Sequence, residues 1–244
     1  MAIIVQKFGG SSVANAEKLL NVCNLIKEEL NEGNQVVVVV SAQGKTTDEL
    51  IKQEMELTDS ASKREHDVLV SVGEQITISK LCMCLEKMNI PAISLLGWQL
   101  PIITDNVFGD ANIKSIGTQR INNELSQNKV VVVAGFQGID DNNNITTLGR
   151  GGSDTTAVAI AAWIKAKRCD IYTDVDGVYS DDPNVKKDAI KFEILSYDEM
   201  LKMANNGAKV LHNKSVEIAK KYNVPVIVKS SFNHEAVGTL ITNI

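Results

Sequence analysis

The chain has few of the residues that mark disulfide-bonded, metal-binding or membrane proteins: 244 residues include 4 cysteines, 3 histidines and 5% aromatic residues. Cys82 and Cys84 stand two apart on a predicted helix, so they face apart and cannot form half of a metal site. We expect all the cysteines to be reduced. No apolar run approaches the ~20 residues of a membrane span, and the first residues lack the features of a signal peptide. The sequence therefore predicts a cytoplasmic protein without a membrane partner.

The chain also lacks an excess of positive charge. Its 25 lysines and arginines are outnumbered by 30 aspartates and glutamates, which gives a formal net charge of −5. Because phosphate binding calls for a basic surface, this balance argues against a nucleic-acid partner. The hydrophobic content of 44% is ordinary for a globular protein. The length suffices for one large domain or two small ones.

Short β-branched runs alternate with longer helical patterns along the chain. The predicted strands are 3–8, 35–41, 92–96, 130–134, 169–173 and 224–229. The predicted helices are 65–88, 113–125, 155–166, 197–204 and 215–222, with a further helical spacing of apolar residues between 19 and 30. Continuous apolar runs such as VVVVV at 36–40 indicate strands covered on both faces. The alternation predicts an α/β fold with a mostly parallel sheet, and DDNNN at 140–144 predicts a hairpin tip.

Segments rich in glycine and polar residues follow four of the predicted strands, at 9–12, 41–47, 135–138 and 173–179. Ligands of parallel sheets bind at the carboxyl ends of the strands. Turn geometry alone also favours glycine in loops. Four such loops at one edge, with Lys7 beside the first, nevertheless predict a shared cleft.

The most informative stretch is TLGRGGSDTTA at 147–157. Its glycines allow a ligand to approach the backbone closely, and the first turn of the following helix offers unpaired N–H groups to an anion. Arg150 adds a fork that fits a carboxylate or a phosphate. The alternative is a plain helix start with Ser153 as the N-cap and Asp154 in the first turn. A cap needs neither three glycines nor an arginine, so we interpret the stretch as a site for an anionic small molecule.

Three standard motifs are excluded by counting. The dinucleotide fingerprint requires a third glycine where Asp154 stands. GKT at 44–46 resembles the end of a phosphate loop, but Val39 occupies the position of its first glycine. A calcium loop with Gly177 as its sixth residue would begin at Tyr172, which cannot serve as its first ligand.

Six segments, in this order, closely resemble the catalytic domain of the aspartokinase family, within the amino-acid kinase superfamily. They are 7–12 (KFGGSS), 41–50 (SAQGKTTDEL), 71–75 (SVGEQ), 149–157 (GRGGSDTTA), 173–179 (TDVDGVY) and 207–212 (GAKVLH). The resemblance covers essentially the whole chain. It implies a three-layer α/β/α sandwich in one kinase domain, with a substrate-side lobe of about 1–134 and a nucleotide-side lobe of about 135–244.

The resemblance also implies a reaction: transfer of the γ-phosphoryl group of ATP to the β-carboxylate of L-aspartate, giving 4-phospho-L-aspartate on the way to lysine, threonine and methionine. The acceptor carboxylate is already ionised at neutral pH, so no general base is required. Catalysis instead needs positive charge on the transferring group. Lys7 is expected to supply it, together with N–H groups of Gly9, Gly10 and Ser11, and Asp154 is expected to orient Lys7.

The other expected roles follow from the same resemblance. Arg150 would clamp the α-carboxylate of aspartate, and Glu74 would bind its ammonium group. The alternative for Glu74 is a solvated helix residue. The expected substrate-binding residues are Ser41, Thr47, Glu74, Arg150, Gly151 and Gly152. The expected nucleotide-binding residues, besides Lys7 and the glycine turn, are Thr173, Asp174, Asp176, Tyr179, Asp182, Pro183 and Lys209. Mg²⁺ would be held by phosphate oxygens and water, without a dedicated set of protein ligands.

Some features depart from the family pattern. Asn184 replaces a common arginine, and the sequence ends at Ile244, before the regulatory ACT domains of relatives would begin. We therefore expect no ACT domain; a separate regulatory chain is left open, and a homo-oligomer is expected. The alternative enzymes are kinases of uridylate, glutamate or carbamate, which lack the combination of Arg150, Glu74 and Thr47. The non-enzymatic alternative is a nucleotide-binding or storage protein.

Overall fold

The structure, a computed structural model, describes residues 1–181, 185–186, 188–206, 210–233 and 236–244. Helices and strands alternate along these residues, so the predicted α/β class is confirmed. The helices are α1 (Ala16–Asn31), α2 (Thr46–Leu57), α3 (Lys63–Val70), α4 (Val72–Lys87), α5 (Gln119–Ser126), α6 (Gly152–Trp163), α7 (Tyr197–Asn205) and α8 (Asn213–Tyr222). The strands are β1 (Ile3–Phe8), β2 (Gln35–Val40), β3 (Ala92–Leu95), β4 (Ile102–Thr104), β5 (Ile113–Ile116), β6 (Val130–Ala134), β7 (Gln137–Ile139), β8 (Ile145–Thr147), β9 (Arg168–Thr173), β10 (Ile194–Ser196), β11 (Val226–Ser230) and β12 (Thr239–Thr242).

The larger sheet has the strand order β10-β12-β11-β9-β1-β2-β6-β3. Neighbouring strands pair in parallel, except that β11 and β12 are antiparallel. The predicted strands 3–8 and 130–134 coincide with β1 and β6, and the other four agree within two residues at each end. The sequence pattern does not predict β10 and β12, which are only three and four residues long.

The valine run of β2 explains how the layers are held together. Val36, Val38 and Val40 pack in the core beneath α1 and α4, whereas Val37 and Val39 pack in the core beneath α5, α6, α7 and α8. Successive side chains of a strand point to opposite faces, so a continuous apolar run requires cover on both sides. Burial of each valine contributes on the order of 2 kcal/mol. The three-layer α/β/α sandwich implied by the resemblance is confirmed.

A smaller sheet has the order β5-β4-β7-β8. The predicted hairpin is confirmed as β7 and β8, which pair antiparallel around a tip at Asp140. The Asp140 carboxylate accepts hydrogen bonds from the N–H groups of Asn142 (2.9 Å) and Asn144 (2.8 Å), which fixes the turn. This sheet joins segments from both sides of residue 134, because β4 and β5 come from the first half of the chain and the hairpin from the second.

The prediction of a helix over 113–125 is wrong in its first part. Ile113 and Ile116 belong to β5, and α5 begins only at Gln119. A spacing of three between isoleucines fits a helical face, but a bulge also produces it. Here Ile116 pairs with Ile102 and Ile113 with Thr104 across a register shift, so both isoleucines lie on one face of the strand.

The single helix predicted over 65–88 is broken at Ser71, between α3 and α4. A hydrogen bond from the Gln137 side chain explains the break. Its Nε2 donates to the Ser71 carbonyl at 2.8 Å, and a side chain inserted at a helical carbonyl interrupts the helix ladder. By length and composition alone, the stretch 63–87 could cross a membrane. Half of its most apolar window is buried inside the fold, and Asp67 and Glu74 are among its buried residues. This is a pair of core helices.

A buried charge cluster ties α1 to the larger sheet. Arg168 contacts the Glu29 carboxylate on α1, and its Nε lies 2.9 Å from Asp170 Oδ1 on β9. Lys229 on β11 lies 3.1 Å from the other oxygen of Asp170, whose side chain is fully buried. Two carboxylates therefore depend on Arg168 for compensation.

We expect Arg168→Ala to lower the free energy of unfolding by roughly 3–5 kcal/mol, because it leaves the buried Glu29 carboxylate without its cation and Asp170 with Lys229 alone. Lys114→Ala is the control, since Lys114 pairs with Asp141 on the surface and its loss should have little effect. Urea unfolding followed by circular dichroism measures both changes. Equal losses in the two variants would contradict the structural importance of the buried cluster.

Candidate active site

A cavity of about 270 Å³ opens at the carboxyl ends of β1 and β2. Eight of the residues predicted for the site line it: Lys7, Gly10, Ser41, Thr47, Glu74, Gly151, Gly152 and Asp154. Three of the four polar loops predicted to share a cleft contribute to the lining, those after β1, β2 and β6. The loop after β9 does not line this cavity.

Lys7 and Asp154 form an ion pair within the cavity. Lys7 Nζ lies 2.6 Å from Asp154 Oδ1, and the two residues are 9% and 8% exposed. The contact lacks hydrogen-bond alignment, so Oδ1 has no conventional donor among the described residues. Lys7 stands at the end of β1 and Asp154 in the first turn of α6. The pair therefore holds a cation beside the N-terminus of α6, where an anion is favoured.

The N-terminus of α6 differs from the capped helix start considered as an alternative. Gly151, not Ser153, is the N-cap, and it has the left-handed φ of +69° that favours glycine. A Cβ at Gly151 would also lie 2.4 Å from that of His212, so the loop passes against the start of α8. The first-turn N–H groups of Ser153 and Asp154 have no acceptor within the helix. This end of α6 is built to accept an anion.

The glycine turn after β1 approaches the loop after β2. A Cβ on Gly10 would lie 2.7 Å from the Ala42 carbonyl oxygen, so a larger residue would push the two loops apart. The N–H groups of Gly10 and Ser11 begin a 3₁₀ turn and have no acceptor within it. The expectation that the Gly9 N–H is free for phosphate needs correction, because it donates to the Tyr172 carbonyl at 3.3 Å.

Glu74 is a buried carboxylate, not a solvated helix residue. It lies in the first turn of α4, is 3% exposed, and accepts a hydrogen bond from the Ala42 N–H at 2.9 Å through Oε1. Its Oε2 has no partner among the described residues. Burial raises the pKa of Glu74 to about 7. A cavity-lining carboxylate with one unpaired oxygen suits a cationic donor such as an ammonium group.

Ser41 and Thr47 both line the cavity, as predicted, but Thr47 lies on a helix that the sequence pattern does not predict. Helix α2 begins at Thr46, and none of its residues is buried, so it lacks the apolar stripe by which a helix is recognised. Arg150 is exposed and does not line the cavity, although Gly149, Gly151 and Gly152 around it do. Its binding role stays a prediction.

The predicted nucleotide loop follows β9. Thr173 Oγ1 donates to Asp174 Oδ1 at 3.0 Å, and Tyr179 donates to Asp176 at 2.7 Å. Lys191 lies 3.1 Å from the other Asp176 oxygen. Burial alone would raise the pKa of Asp176, but these two donors lower it. Of the predicted nucleotide residues, Asp182, Pro183 and Lys209 lie outside the described residues, as does Asn184.

Sequence reasoning misses several residues at or behind the cavity. Ala42, Gly44, Phe136, Gly149 and Ser153 also line it. Behind it, the Asp67 side chain is fully buried. A signal for Asp67 does exist, because it occupies a position of the helical stripe that also contains Val70, Glu74, Ile78 and Leu81. An acidic residue at an apolar position of such a stripe is rare unless it is paired or functional.

Comparisons with known proteins identify the family of this chain. The sequence model described as "Amino acid kinase family" matches residues 2–230. An aspartokinase of Bacillus sp. (strain MGA3) is 55% identical over 241 residues, which are 99% of this chain and 58% of that protein. The chain thus spans less than two thirds of the length of this curated relative.

Two solved structures share the fold. The aspartate kinase from Synechocystis is 44% identical with a TM-score of 0.87, covering 100% of this chain and 40% of its own. E. coli aspartokinase III in complex with aspartate and ADP, in the R-state, is 28% identical with a TM-score of 0.90, covering 99% of this chain and 64% of its own. With a family model matched over nearly its whole length, this chain belongs to the amino acid kinase family.

Proposed function

We propose that this chain is the catalytic domain of an aspartate kinase, which transfers the γ-phosphoryl group of ATP to the β-carboxylate of L-aspartate and forms 4-phospho-L-aspartate. One observation carries the proposal: a single cavity contains the buried cation of Lys7 and the half-satisfied carboxylate of Glu74. The first suits a phosphate and the second an ammonium group. The similarity to proteins named aspartokinase supports this assignment.

The proposed chemistry needs charge and position, not a base. The acceptor carboxylate is ionised at neutral pH, so no proton has to be removed before it attacks the γ-phosphorus. Lys7 stabilises the negative charge on the transferring group, and Asp154 keeps the Lys7 ammonium in place. The N–H groups of Gly10 and Ser11 donate to phosphate oxygens from the side of β1.

The aspartate is proposed to bind between α4 and the N-terminus of α6. Glu74 Oε2 accepts the substrate ammonium, and the Arg150 guanidinium binds the α-carboxylate as a fork. Ser41 and Thr47 add hydroxyl donors from the loop after β2 and the first turn of α2. Gly151 and Gly152 leave room for the substrate beside the helix end.

ATP is proposed to extend from Lys7 towards the end of β9. Thr173, Asp174, Asp176 and Tyr179 would bind its adenosine, together with Asp182 and Pro183, and Lys209 would reach its phosphates. Mg²⁺ would arrive with ATP and neutralise phosphate charge. Among the described residues, no group of three or more His, Cys, Asp or Glu side chains converges to hold a metal ion. Its proposed ligands are phosphate oxygens and water, because Mg²⁺ keeps several waters and is usually bound through substrate phosphates.

The alternatives differ in what the cavity must bind. Uridylate and carbamate carry no ammonium group for Glu74. Glutamate does carry one, and it differs from aspartate only in the length of its side chain. A nucleotide-binding or storage protein would have no use for the charge of Lys7 in turnover. We further propose that these residues fold as a single kinase domain, and that the protein is a cytoplasmic homo-oligomer that acts in the synthesis of lysine, threonine and methionine.

A coupled assay of ADP release with ATP and Mg²⁺ tests the function. Aspartate is expected to support turnover, and glutamate, uridylate and carbamate are not. Faster turnover with any of those three would replace the proposed substrate. ATP binding without turnover of any acceptor would favour the storage alternative.

We expect Lys7→Ala to lower kcat by about a thousandfold or more, because it removes charge stabilisation from the transition state. It also leaves Asp154 as an unpaired carboxylate, so Lys7→Ala/Asp154→Asn, which removes that charge, is the companion variant. Thermal unfolding checks that both remain folded. Turnover within about tenfold of the parent, ~1.4 kcal/mol, would contradict a catalytic role for Lys7.

Arg150→Lys should raise the KM for aspartate much more than the KM for ATP, since an ammonium group cannot copy the bidentate fork of a guanidinium. Arg120→Lys on α5 is the matched control, because Arg120 is also largely exposed but lies away from the cavity. Steady-state kinetics with each substrate varied in turn measures the two KM values. Comparable rises in both KM values would assign Arg150 to the nucleotide instead.

The pKa of Glu74 predicts a pH dependence. An ammonium beside Oε2 favours the ionised form, so the KM for aspartate should fall about tenfold between pH 6 and pH 8, as Glu74 loses its proton around pH 7. The stability of the ligand-free protein changes in the opposite sense, since it decreases as the pH rises. Because the pKa is raised from 4.5, the contribution of Glu74 to stability is present below pH 4.5 and is lost as the pH rises through about 7.

Glu74→Gln removes the titrating group and should flatten both profiles, at the cost of a high KM for aspartate. Kinetics and urea unfolding at pH 5 to 8 measure them. Profiles of the parent and Glu74→Gln that run parallel would show that another group controls the pH dependence.

A further inference from the structure

We propose that Asp67 is a positioning residue, whose buried carboxylate holds the loop carrying Arg150 at a set distance from Glu74 and so determines the affinity for the amino-acid substrate. The inference rests on the proposed function, because it assumes that Glu74 and Arg150 bind opposite ends of one substrate. Asp67 itself does not line the cavity and contacts no reacting group.

The Asp67 side chain lies on α3, is fully buried, and accepts three hydrogen bonds. Its Oδ2 accepts from the Thr147 N–H at 2.8 Å and from the Gly109 N–H at 3.0 Å, and its Oδ1 accepts from the Thr147 hydroxyl at 2.8 Å. All three donors are uncharged. Burying a carboxylate is costly unless its oxygens are satisfied, so these directional bonds keep the three segments together.

The bonds reach both halves of the substrate site. Thr147 ends β8, three residues before Arg150, and its own carbonyl accepts from the Ala111 N–H at 2.9 Å, so its backbone is held on both sides. On the other side, the Ser71 N–H donates to the Asp67 carbonyl at 3.1 Å, and Glu74 follows in the first turn of α4. A short series of hydrogen bonds through Asp67 therefore connects the segments that carry Arg150 and Glu74, the two proposed substrate-binding residues.

The geometry also predicts which substrate is affected. Asp67 bonds to segments of the cavity wall that carry Glu74 and Arg150. The Lys7 backbone is instead set by the parallel pairing of β1 with β2 and β9, and its partner Asp154 is held within α6. Loss of the Asp67 carboxylate should widen the aspartate site while the phosphate-binding cation stays in place. A misplacement of about 1 Å can cost about a hundredfold.

The experiment compares Asp67→Ala with Asp67→Asn and with Asp140→Ala. Asp140 is the matched control, because it is another buried carboxylate that caps the same β7–β8 hairpin, but at the tip away from the cavity. We expect Asp67→Ala to raise the KM for aspartate about 20-fold or more, with the KM for ATP within about threefold. Asp140→Ala should change neither KM by more than about twofold, even where it lowers the melting temperature as much.

Asp67→Asn should restore most of the affinity. Its amide oxygen can accept both N–H groups, and the Thr147 hydroxyl can turn to accept from the amide nitrogen. Should Asp67→Ala fail to fold, Thr147→Val and Thr147→Ser decide the question. Thr147→Val removes the hydroxyl donor and is expected to raise the KM for aspartate about fivefold, whereas Thr147→Ser keeps the donor and should match the parent.

Several results would overturn the inference. One is a folded Asp67→Ala with an unchanged KM for aspartate; another is a rise of both KM values together in Asp67→Ala, with the same rise in the control Asp140→Ala. Failure of the proposed function is distinguishable, because it is read from the parent chain. If the parent uses a different acceptor, the same comparison of KM values with that acceptor decides the role of Asp67. A parent that turns over no acceptor overturns both proposals.

Discussion

The register of β1 is the constraint on which the site depends. Lys7 pairs with Val39 of β2 and Ile171 of β9, and the next residue, Phe8, is fully buried against Tyr172 with ring centroids 4.7 Å apart. A slip of one residue would exchange the faces of Lys7 and Phe8, placing an ammonium group in the apolar layer beneath α1. Because both neighbouring strands are buried on both faces, the register is fixed by packing. The position of the Lys7 cation opposite Asp154 follows from it.

The sequence predicts those parts of the molecule whose physical signal is local. β1 and β6 match their predicted bounds because short runs of β-branched residues, IIV at the start of β1 and VVVV in β6, favour a strand. The glycine motif around Gly151 predicts the helix N-terminus because it combines backbone freedom with an arginine and a carboxylate. Most of the predicted site residues outside the nucleotide loop line the cavity, and they too belong to short motifs that can be read locally in the sequence.

What escapes prediction depends on contacts made far along the chain. The break at Ser71 is caused by the side chain of Gln137, 66 residues away, which no local pattern contains. Strand β5 imitates a helical spacing because a bulge brings Ile113 and Ile116 to one face. The burial of the Asp67 carboxylate is explained by its donors, Thr147 and Gly109, which lie far along the chain. Local patterns therefore predict the elements, whereas the distances within the site are set by pairings between them.

Three buried carboxylates around the cavity illustrate how environment divides their roles. Asp154 faces the ammonium group of Lys7, Asp67 is satisfied by three neutral donors, and Glu74 keeps an oxygen without a partner in the part of the chain that the structure describes. A carboxylate whose bonds are complete gains little from a further ligand, so Asp67 suits support and not binding. Burial raises the pKa of Glu74 to about 7, and a cation entering the cavity relieves the cost of its charge. An unpaired buried oxygen is thus the feature on which the proposed recognition of a substrate ammonium group depends.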